Sequence, residues 1–243
     1  MKTLIMDKWE MEIDDTKVEK SQKEKGEKRS YFSFLKKVSV GRQAKCRYNL
    51  LIRLQNKGIE NAVEFFGGVG INSTMIQKII EPENHYIYDY DEKCVEHLNK
   101  NFENVFQADS YQVMQGIKSK NALYDFDFNS FTIKQLIENE KRVKNGIDNI
   151  FSQKPKAVII TDSAKSKIHL NYKVYERLLN AKIGDFNDYI SAVDEYFQDE
   201  YNYSISHCYF HNSASYSLFQ PVKSKEIKIE KINDNKGFKI IGE

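Results

Sequence analysis

The chain has 243 residues, enough for one large domain or for a domain of about 200 residues with an extension. Hydrophobic residues make up 40% of it, and 37 basic residues nearly balance 35 acidic ones, which excludes disorder throughout the chain. No apolar run approaches the roughly 18 residues of a membrane span, and the first residues do not predict a signal peptide. The three cysteines lack the spacing of a disulfide framework or a zinc site. We therefore expect a soluble cytoplasmic protein with no membrane or metal partner.

The segment 30–57 carries seven basic residues, four interleaved aromatic residues and no acidic residue. Such a stripe attracts a nucleic-acid backbone through counterion release and stacking; the alternative interpretation is a solvated helix flank. Residues 15–29 are nearly all polar and predict a mobile linker. We therefore assign 1–57 to an N-terminal extension and 58–243 to the main domain. The predicted nucleic-acid contacts of the stripe are Lys36, Lys37, Arg42, Lys45 and Arg47.

From residue 58 onward, short apolar runs alternate with longer amphipathic stretches. The runs are rich in Val, Ile, Tyr and Phe and predict strands over 62–66, 85–89, 104–108, 121–127 and 156–161. The helical patterns cover 72–81, 91–101, 111–118, 130–152, 171–180 and 185–199. Strands separated by helix-length segments predict βαβ units, and hence a Rossmann-like parallel sheet with helices on both faces.

The C-terminal part has a different pattern. Segments 203–211 and 215–222 are separated by a few small polar residues, which predicts an antiparallel hairpin at the end of the sheet. A further pair, 226–232 and 236–241, flanks an Asn-Asp-Asn sequence and is predicted to form a terminal hairpin. The predicted fold class is therefore α/β, with parallel strands finished by antiparallel ones.

A glycine-rich turn follows the first predicted strand of the main domain, with the sequence Glu64-Phe65-Phe66-Gly67-Gly68-Val69-Gly70. Glycines let the backbone turn sharply and approach a ligand closely, and the next helix offers unpaired N–H groups at its start. In a doubly wound sheet, ligands bind at this carboxyl edge, at the topological switch point. The sequence therefore predicts a ligand site here, and it lacks the GxxxxGK[ST] pattern of a P-loop nucleotidase.

Acidic residues follow the next two predicted strands. Asp89 lies 19 residues after Gly70, about the offset at which an acid accepts hydrogen bonds from a ribose diol. Asp91 is explained as the cap of the following helix. For Asp109 two interpretations stay open: a contact to an adenine amino group, and the cap of the helix over 111–118.

The fourth predicted strand ends in Asp125-Phe126-Asp127-Phe128-Asn129-Ser130-Phe131. Buried acids are costly unless they are paired, so two carboxylates and an amide at one strand end favour a functional role over packing. A polar side chain beside aromatic faces can hold a flat base and accept a hydrogen bond from its exocyclic amine. We predict that Asp127 accepts this bond, with Asn129 in support and Phe128 stacking on the base. Asp125, two residues earlier, is the alternative acceptor.

Together these motifs resemble the class I S-adenosylmethionine-dependent methyltransferases over about residues 60–222. The resemblance implies S-adenosylmethionine as the cofactor, with the glycine turn at its methionine and ribose, Asp89 at its ribose hydroxyls and Asp109 at its adenine. An acid after the second strand also fits nicotinamide-dependent dehydrogenases, but the fourth motif and the antiparallel ending favour a methyltransferase. The cofactor-binding residues predicted in this way are Glu64, Phe65, Phe66, Gly67, Gly68, Gly70, Asn72, Asp89, Tyr90, Asp109 and Ser110.

The fourth motif also bears on the substrate. Asp127-Phe128-Asn129-Ser130 loosely resembles the (D/N/S)PP(Y/F) motif of methyltransferases that modify base amino groups. The longer DFDFNSF stretch resembles the DxDPFGS segment of transfer-RNA guanine-N2 methyltransferases, and the prolines of both patterns are absent here. This resemblance implies methylation of an exocyclic base amine of DNA or RNA, with Lys165 and Lys167 as further phosphate contacts. Two alternatives stay open: a methyltransferase of a small molecule or protein, and a non-catalytic nucleic-acid-binding subunit that keeps the fold.

Overall fold

The structure is a computed structural model that describes residues 2–6, 9–13, 39–68, 70–127, 132–163, 175–211, 214–221, 227–232 and 238–241. The predicted site residues outside these ranges are Lys36, Lys37, Phe128, Asn129, Lys165 and Lys167. Arg42 is described by its backbone only. The roles given to these seven residues stay predictions. The linker predicted over 15–29 also lies outside the described residues.

The described strands form two sheets. In chain order they are β1 (Lys2–Met6), β2 (Trp9–Ile13), β3 (Asn61–Phe65), β4 (Asn84–Asp89), β5 (Asn104–Gln107), β6 (Ala122–Asp127), β7 (Ala157–Ser163), β8 (Tyr203–His211), β9 (Ala214–Pro221), β10 (Lys228–Lys231) and β11 (Phe238–Ile241). Within the described ranges, β11, β1 and β2 form a three-stranded antiparallel sheet. The other eight described strands form one sheet in the order β10-β8-β9-β7-β6-β3-β4-β5. Its strands run parallel except for β9, which pairs antiparallel with β7 and β8.

The described helices are α1 (Ser39–Ile52), α2 (Ile71–Ile79), α3 (Glu92–Leu98), α4 (Ser110–Gly116), α5 (Thr132–Ile137), α6 (Lys141–Ser152) and α7 (Phe186–Tyr201), with a short helical segment at 175–179. The carboxylates of Asp91, Asp109 and Asp185 cap α3, α4 and α7 by accepting backbone N–H groups. The single helix predicted over 130–152 is interrupted, because the chain turns at Asn139, whose φ is 56°. None of the described helices has the length and apolar character needed to cross a membrane.

Helices cover both faces of the large sheet. α1 and α2 pack on one face, in an apolar core that includes Ala62 and Leu123 of the sheet. α4, α5, α6 and α7 pack on the other face, against strand residues such as Phe65 and Tyr124. Because successive side chains of a strand point to opposite faces, Glu64 lies on the α1 face between two residues of the opposite core. The predicted fold class, a parallel sheet finished by antiparallel strands, is confirmed.

A row of stacked aromatic rings fixes the register of the central strands. Phe65 of β3 stacks on Phe126 of β6 at 5.0 Å between ring centroids and on Tyr88 of β4 at 5.9 Å. Tyr88 stacks in turn on Phe106 of β5 at 5.2 Å. Cross-strand aromatic pairs stabilise a sheet and discriminate against slipped pairings. The ends of β3, β4 and β6 are therefore held side by side.

The predicted terminal hairpin is wrong. β10 pairs parallel with β8, and β11 pairs antiparallel with β1 of the small sheet. The physical reason is the edge of β8, where unpaired backbone groups offer a template for another strand. The chain order of the sheet reverses between β3 and β6, which makes their carboxyl ends the topological switch point.

Candidate functional site

The glycine-rich turn connects β3 to α2 by a left-handed path. Phe66, Gly68 and Gly70 have φ values of 67°, 57° and 80°. Glycine adopts such values freely, whereas a phenylalanine there is held against a cost of about 1–3 kcal/mol. The Phe66 N–H group donates to the Tyr88 carbonyl at 2.8 Å, which ties the turn to β4. Strained backbone of this kind is typical of functional sites.

Gly67 lies where the turn packs onto its neighbours. A Cβ atom added to it would overlap with the Ile87 side chain of β4 and lie 3.0 Å from the Leu98 side chain of α3. No side chain fits at this position without moving β4 or α3. Phe65, just before the turn, is fully buried in the stacked row on the α4–α7 face. The Phe65 ring is therefore part of the core, and the cofactor contact predicted for Phe65 stays a prediction.

Asp89, at the end of β4, braces the turn. Its Oδ2 atom accepts a hydrogen bond from the Gly68 N–H group and its Oδ1 atom accepts one from the Asp91 N–H group, both at 2.8 Å. Burial raises the pKa of Asp89, although both backbone N–H groups act to lower it. Each oxygen keeps a second lone pair, so the carboxylate can also accept a hydroxyl. The neighbouring Tyr90 is 75% exposed and offers an aromatic face beside it.

Asp109, at the end of the next strand, has two partners. Its Oδ1 atom accepts a hydrogen bond from the Tyr111 N–H group at 3.0 Å, and its Oδ2 atom pairs with Arg142. The Arg142 guanidinium also lies 4.7 Å from the centroid of the Tyr111 ring. The helix-cap interpretation of Asp109 is therefore the one observed. Ser110 is buried, and its Oγ atom has no hydrogen-bond partner among the described residues.

Carboxylates from β3 and β6 lie side by side on the α1 face. Glu64 and Asp125 are register partners, and both are almost completely buried. The Glu64 Oε2 atom lies 3.3 Å from His85 Nε2 of β4. Asp127, two residues after Asp125, has the most accessible of these carboxylates, with 16% of its side chain exposed. Neighbouring parallel strands thus gather the acids predicted from the first and fourth motifs.

Arg47 of α1 lies inside this acidic group. It is 3% exposed, pairs with Asp125, and lies 3.1 Å from Asp127 Oδ1. It also donates to the Phe126 carbonyl at 3.2 Å and to the Thr161 hydroxyl. This corrects the prediction that Arg47 contacts nucleic acid, because its guanidinium is buried against two carboxylates.

The spacing of Arg47 to three leucines in the sequence indicates that Arg47 is buried. Leu50, Leu51 and Leu54 are all buried, and they follow it at spacings of three, four and seven residues. These are the spacings of one helix face, so Arg47 belongs to the apolar face of α1 rather than to a solvated stripe.

The buried ion pairs shift the titration of their members. Burial acts to lower the pKa of Arg47, but the adjacent Asp125 and Asp127 raise it overall. Burial raises the pKa of Asp125 to about 7, although Arg47 acts to lower it, and the nearby Glu64 raises it further. Asp125 is therefore buried and paired with Arg47, whereas Asp127 is the carboxylate that is partly accessible at the edge of the sheet.

Asp127 is held from two sides. Arg47 contacts its Oδ1 atom, and the Asn72 Nδ2 group lies 3.2 Å from its Oδ2 atom. Asn72 belongs to the first turn of α2, directly after the glycine-rich turn, and is 8% exposed. The sequence predicted Asn72 as a cofactor contact and missed this link to Asp127. The link couples the glycine turn to the end of β6.

The other described members of the basic stripe are more exposed than Arg47. Lys45 is half-buried. Arg53 donates to the Tyr209 hydroxyl at 2.8 Å and lies 3.7 Å from Glu230 Oε1. Lys57 is exposed. Within the described ranges, no group of three or more His, Cys, Asp or Glu side chains is arranged to hold a metal ion.

Solved structures share this fold. Trm1 from Pyrococcus horikoshii, in complex with S-adenosyl-L-methionine, aligns with a TM-score of 0.54 at 11% identity, over 74% of this chain and 55% of that one. Magnesium protoporphyrin IX methyltransferase (ChlM) from Synechocystis PCC 6803, with bound SAH, aligns with a TM-score of 0.50 at 13% identity, over 85% of this chain and 94% of that one. At such identities the likeness establishes the fold, which is the class I methyltransferase fold predicted from the motifs.

The alignment with Trm1 spans about half of the length of that protein. No protein-family model matches the sequence, and a search of curated proteins gives no match either.

Proposed function

We propose that the protein is an S-adenosylmethionine-dependent methyltransferase that modifies an exocyclic base amino group of DNA or RNA. The observation that carries the proposal is the carboxyl edge of the sheet. There Asp89 is hydrogen-bonded to the Gly68 N–H group, and Asp127 is held by Asn72 of the helix that directly follows this turn. One acid thus stands at the cofactor end of the site and another at the substrate end.

The charges of this edge fit a cationic cofactor. Glu64, Asp89, Asp125 and Asp127 lie at or near the ends of β3, β4 and β6, and Arg47 pairs with two of them. S-adenosylmethionine carries a sulfonium cation, which this excess of negative charge stabilises. The same charge disfavours the pyrophosphate of NAD. The SAM and SAH held by the two solved structures further support this cofactor.

The residues that would hold the cofactor follow from the geometry. The free lone pairs of Asp89 would accept the ribose hydroxyls, and the turn at Gly68 and Gly70 leaves room for the backbone to approach the ligand. Tyr90 would cover the adenine with its exposed ring. The bound cofactor supplies an electrophilic methyl group, and no metal is needed for its transfer. Because Asp109 is engaged by Arg142, an adenine contact from it requires that ion pair to adjust.

Asp127 supplies the substrate side of the mechanism. An exocyclic amine is a poor nucleophile because its lone pair is delocalised into the base. A fixed oxygen that accepts its N–H bond orients that lone pair, and positioning of this kind accounts for much of catalysis. Arg47 and Asn72 fix Asp127 from two sides, at its Oδ1 and Oδ2 atoms. Phe128 stacking on the base and Asn129 supporting Asp127 complete the proposal.

Transfer of a labelled methyl group tests the proposal. Purified protein is incubated with methyl-labelled S-adenosylmethionine and, separately, with bulk DNA and bulk RNA. We expect incorporation into one of the two pools, with the label on a base nitrogen after digestion. Labelling of a small-molecule or protein fraction alone would favour the alternative methyltransferase. Nucleic-acid binding without any transfer would favour the non-catalytic subunit.

A further inference from the structure

A cleft lined by lysines lies at the opposite, amino edge of the sheet. It has a volume of about 630 Å³ and is bounded by the segments before β3, β6 and β7, the start of β8 and the end of β9. Three lysines line it, together with neutral polar side chains and two prolines. The lysines are Lys57, Lys154 and Lys156. No carboxylate is among its lining residues in the described part of the chain.

The three lysines carry charge that the described protein does not neutralise. All three are exposed, and none of them forms an ion pair with another described residue. The lining residue Ser204 donates its hydroxyl to the carboxylate of Asp194 at 3.0 Å, and Asp194 is 6% exposed. Like charges gathered without counterions favour an anionic ligand.

The backbone fixes where these lysines stand. Lys154 has a φ of 55° at the end of α6, a position that glycine or asparagine usually takes. Its N–H group donates to the Phe151 carbonyl at 3.0 Å, and the Lys156 N–H group donates to the Ala122 carbonyl of β6 at 2.9 Å. The chain thus holds a lysine in a left-handed turn at the rim of the cleft.

The chemistry of the cleft favours a polymer of phosphates. Small-molecule sites are mostly apolar and bury most of their ligand, whereas this cleft is open on one side and presents the charged ends of three lysines beside Pro155 and Pro221. Lysine binds phosphate as a flexible point charge, without the geometric selection that arginine gives. We propose that this cleft is a second contact site for the phosphate backbone of a nucleic acid, which rests on the substrate class of the proposed function.

The cleft and the carboxyl edge are far enough apart that a short oligonucleotide can contact only one of them. β6 runs from the cleft at Asn121 to Asp127, and its six residues span roughly 17–20 Å at about 3.3 Å per residue. That distance corresponds to about five or six nucleotides of a helical strand, so an oligonucleotide of about four nucleotides occupies one edge only. Longer strands can contact both.

The test compares a triple variant, Lys57→Gln with Lys154→Gln and Lys156→Gln, with the wild type. A matched control replaces the exposed Lys78, Lys100 and Lys182 by Gln, which removes the same charge outside the cleft. Binding of labelled strands of about 4 and about 30 nucleotides is measured by fluorescence anisotropy at several salt concentrations. We expect the triple variant to lose at least tenfold in affinity for the long strand, and its salt slope to fall by about 2 relative to the control.

The other possible results distinguish failure of the second site from failure of the proposed function. A triple variant that binds the long strand as the control does overturns the second site, even if methyl transfer to nucleic acid is observed. Lysine-dependent binding of the long strand without methyl transfer keeps the second site and overturns the proposed function. Inorganic tripolyphosphate that binds as tightly as the long strand overturns the assignment to a polymer.

Discussion

The carboxyl edge of the large sheet and the cleft at its amino edge carry opposite charges in opposite surroundings. At the carboxyl edge, the acids Glu64, Asp89 and Asp125 are buried, and the compensating Arg47 is buried with them. At the amino edge, the basic residues are lysines, which remain in solvent around an open cleft. The same strands connect the two edges, so the fold separates a buried acidic site from an exposed basic surface.

This difference decides how each edge responds to change. Charges that are buried together interact strongly and are screened little by salt, so losing one member leaves the others uncompensated. Exposed charges interact weakly, and salt screens them within about 10 Å at 0.1 M. Substitutions at the carboxyl edge are therefore expected to alter stability and catalysis, and those at the amino edge to alter salt-dependent binding.

The largest effect is expected for Arg47→Met. The variant removes the cation that Asp125 and Asp127 share, and breaking a buried ion pair in this way costs about 3–5 kcal/mol. The free energy of unfolding is measured by urea titration. Arg53→Met is the matched control, because Arg53 is 36% exposed and should lose less than about 1 kcal/mol. Equal losses in the two variants would contradict the distinction between buried and exposed charges.

The next effect is expected for Asp127→Ala. Removing the oriented acceptor should lower turnover by about 100-fold or more, while the affinity for S-adenosylmethionine changes little. Asp127→Asn keeps an acceptor oxygen and should lose less. Asp199→Ala is the control, since that carboxylate is exposed on α7. If Asp127→Ala stays active while Asp125→Ala folds and loses activity, the catalytic carboxylate is Asp125.

A smaller effect is expected for Asp89→Ala. The variant removes the acceptor for the ribose hydroxyls and leaves the Gly68 N–H group without its partner, so cofactor binding should weaken by about 1–3 kcal/mol. Calorimetry with S-adenosylhomocysteine measures it. Asp91→Ala is the control: it removes the cap of α3 and should lower stability by about 1 kcal/mol while cofactor binding is retained.

A further prediction concerns the pH dependence of stability. The pKa of Asp125 rises from 3.8 to about 7 on folding, chiefly through burial, so between these values the unfolded chain loses its proton first. The free energy of unfolding should therefore fall as pH rises through this window, and Asp125→Asn should remove that contribution.

His207, beside the basic residues Arg53 and Lys228, should behave in the opposite way. Burial, with these two cations, lowers its pKa from 6.5 to about 4. Between those values the unfolded chain takes up a proton that the folded chain does not, so this contribution to stability is lost as pH falls. His207→Gln should remove it. Urea titrations between pH 4 and 7.5 compare both variants with the wild type, and parallel slopes in all three would contradict these assignments.

Much of the fold could be predicted because its signals are local. Each central strand is a short apolar run, and the turn at Gly67 and Gly70 follows the first of them. Asp89 and Asp127 lie at the same edge of the sheet because the parallel strands β4 and β6 both end there. Strand spacing alone therefore brought the main acids of the site into one place.

What could not be predicted depends on long-range contacts. β10 joins β8 across the sheet, and no local pattern distinguishes that pairing from a hairpin with β11. The basic stripe predicts a nucleic-acid contact for Arg47, although its spacing to Leu50 and Leu51 indicates the buried face of α1. The alternating apolar and acidic residues of 9–13 are typical of a strand, but they do not indicate that β1 is its partner or that β11 joins the same sheet.

Titration calorimetry of the wild-type chain with S-adenosylhomocysteine and, in parallel, with NAD tests the central claim most directly. The glycine turn and the ribose acceptor Asp89 predict that S-adenosylhomocysteine binds with one site per chain, and the acidic carboxyl edge predicts that the pyrophosphate of NAD is excluded. Binding of NAD without binding of S-adenosylhomocysteine would contradict the claim and would assign the same glycine turn and Asp89 to a dehydrogenase.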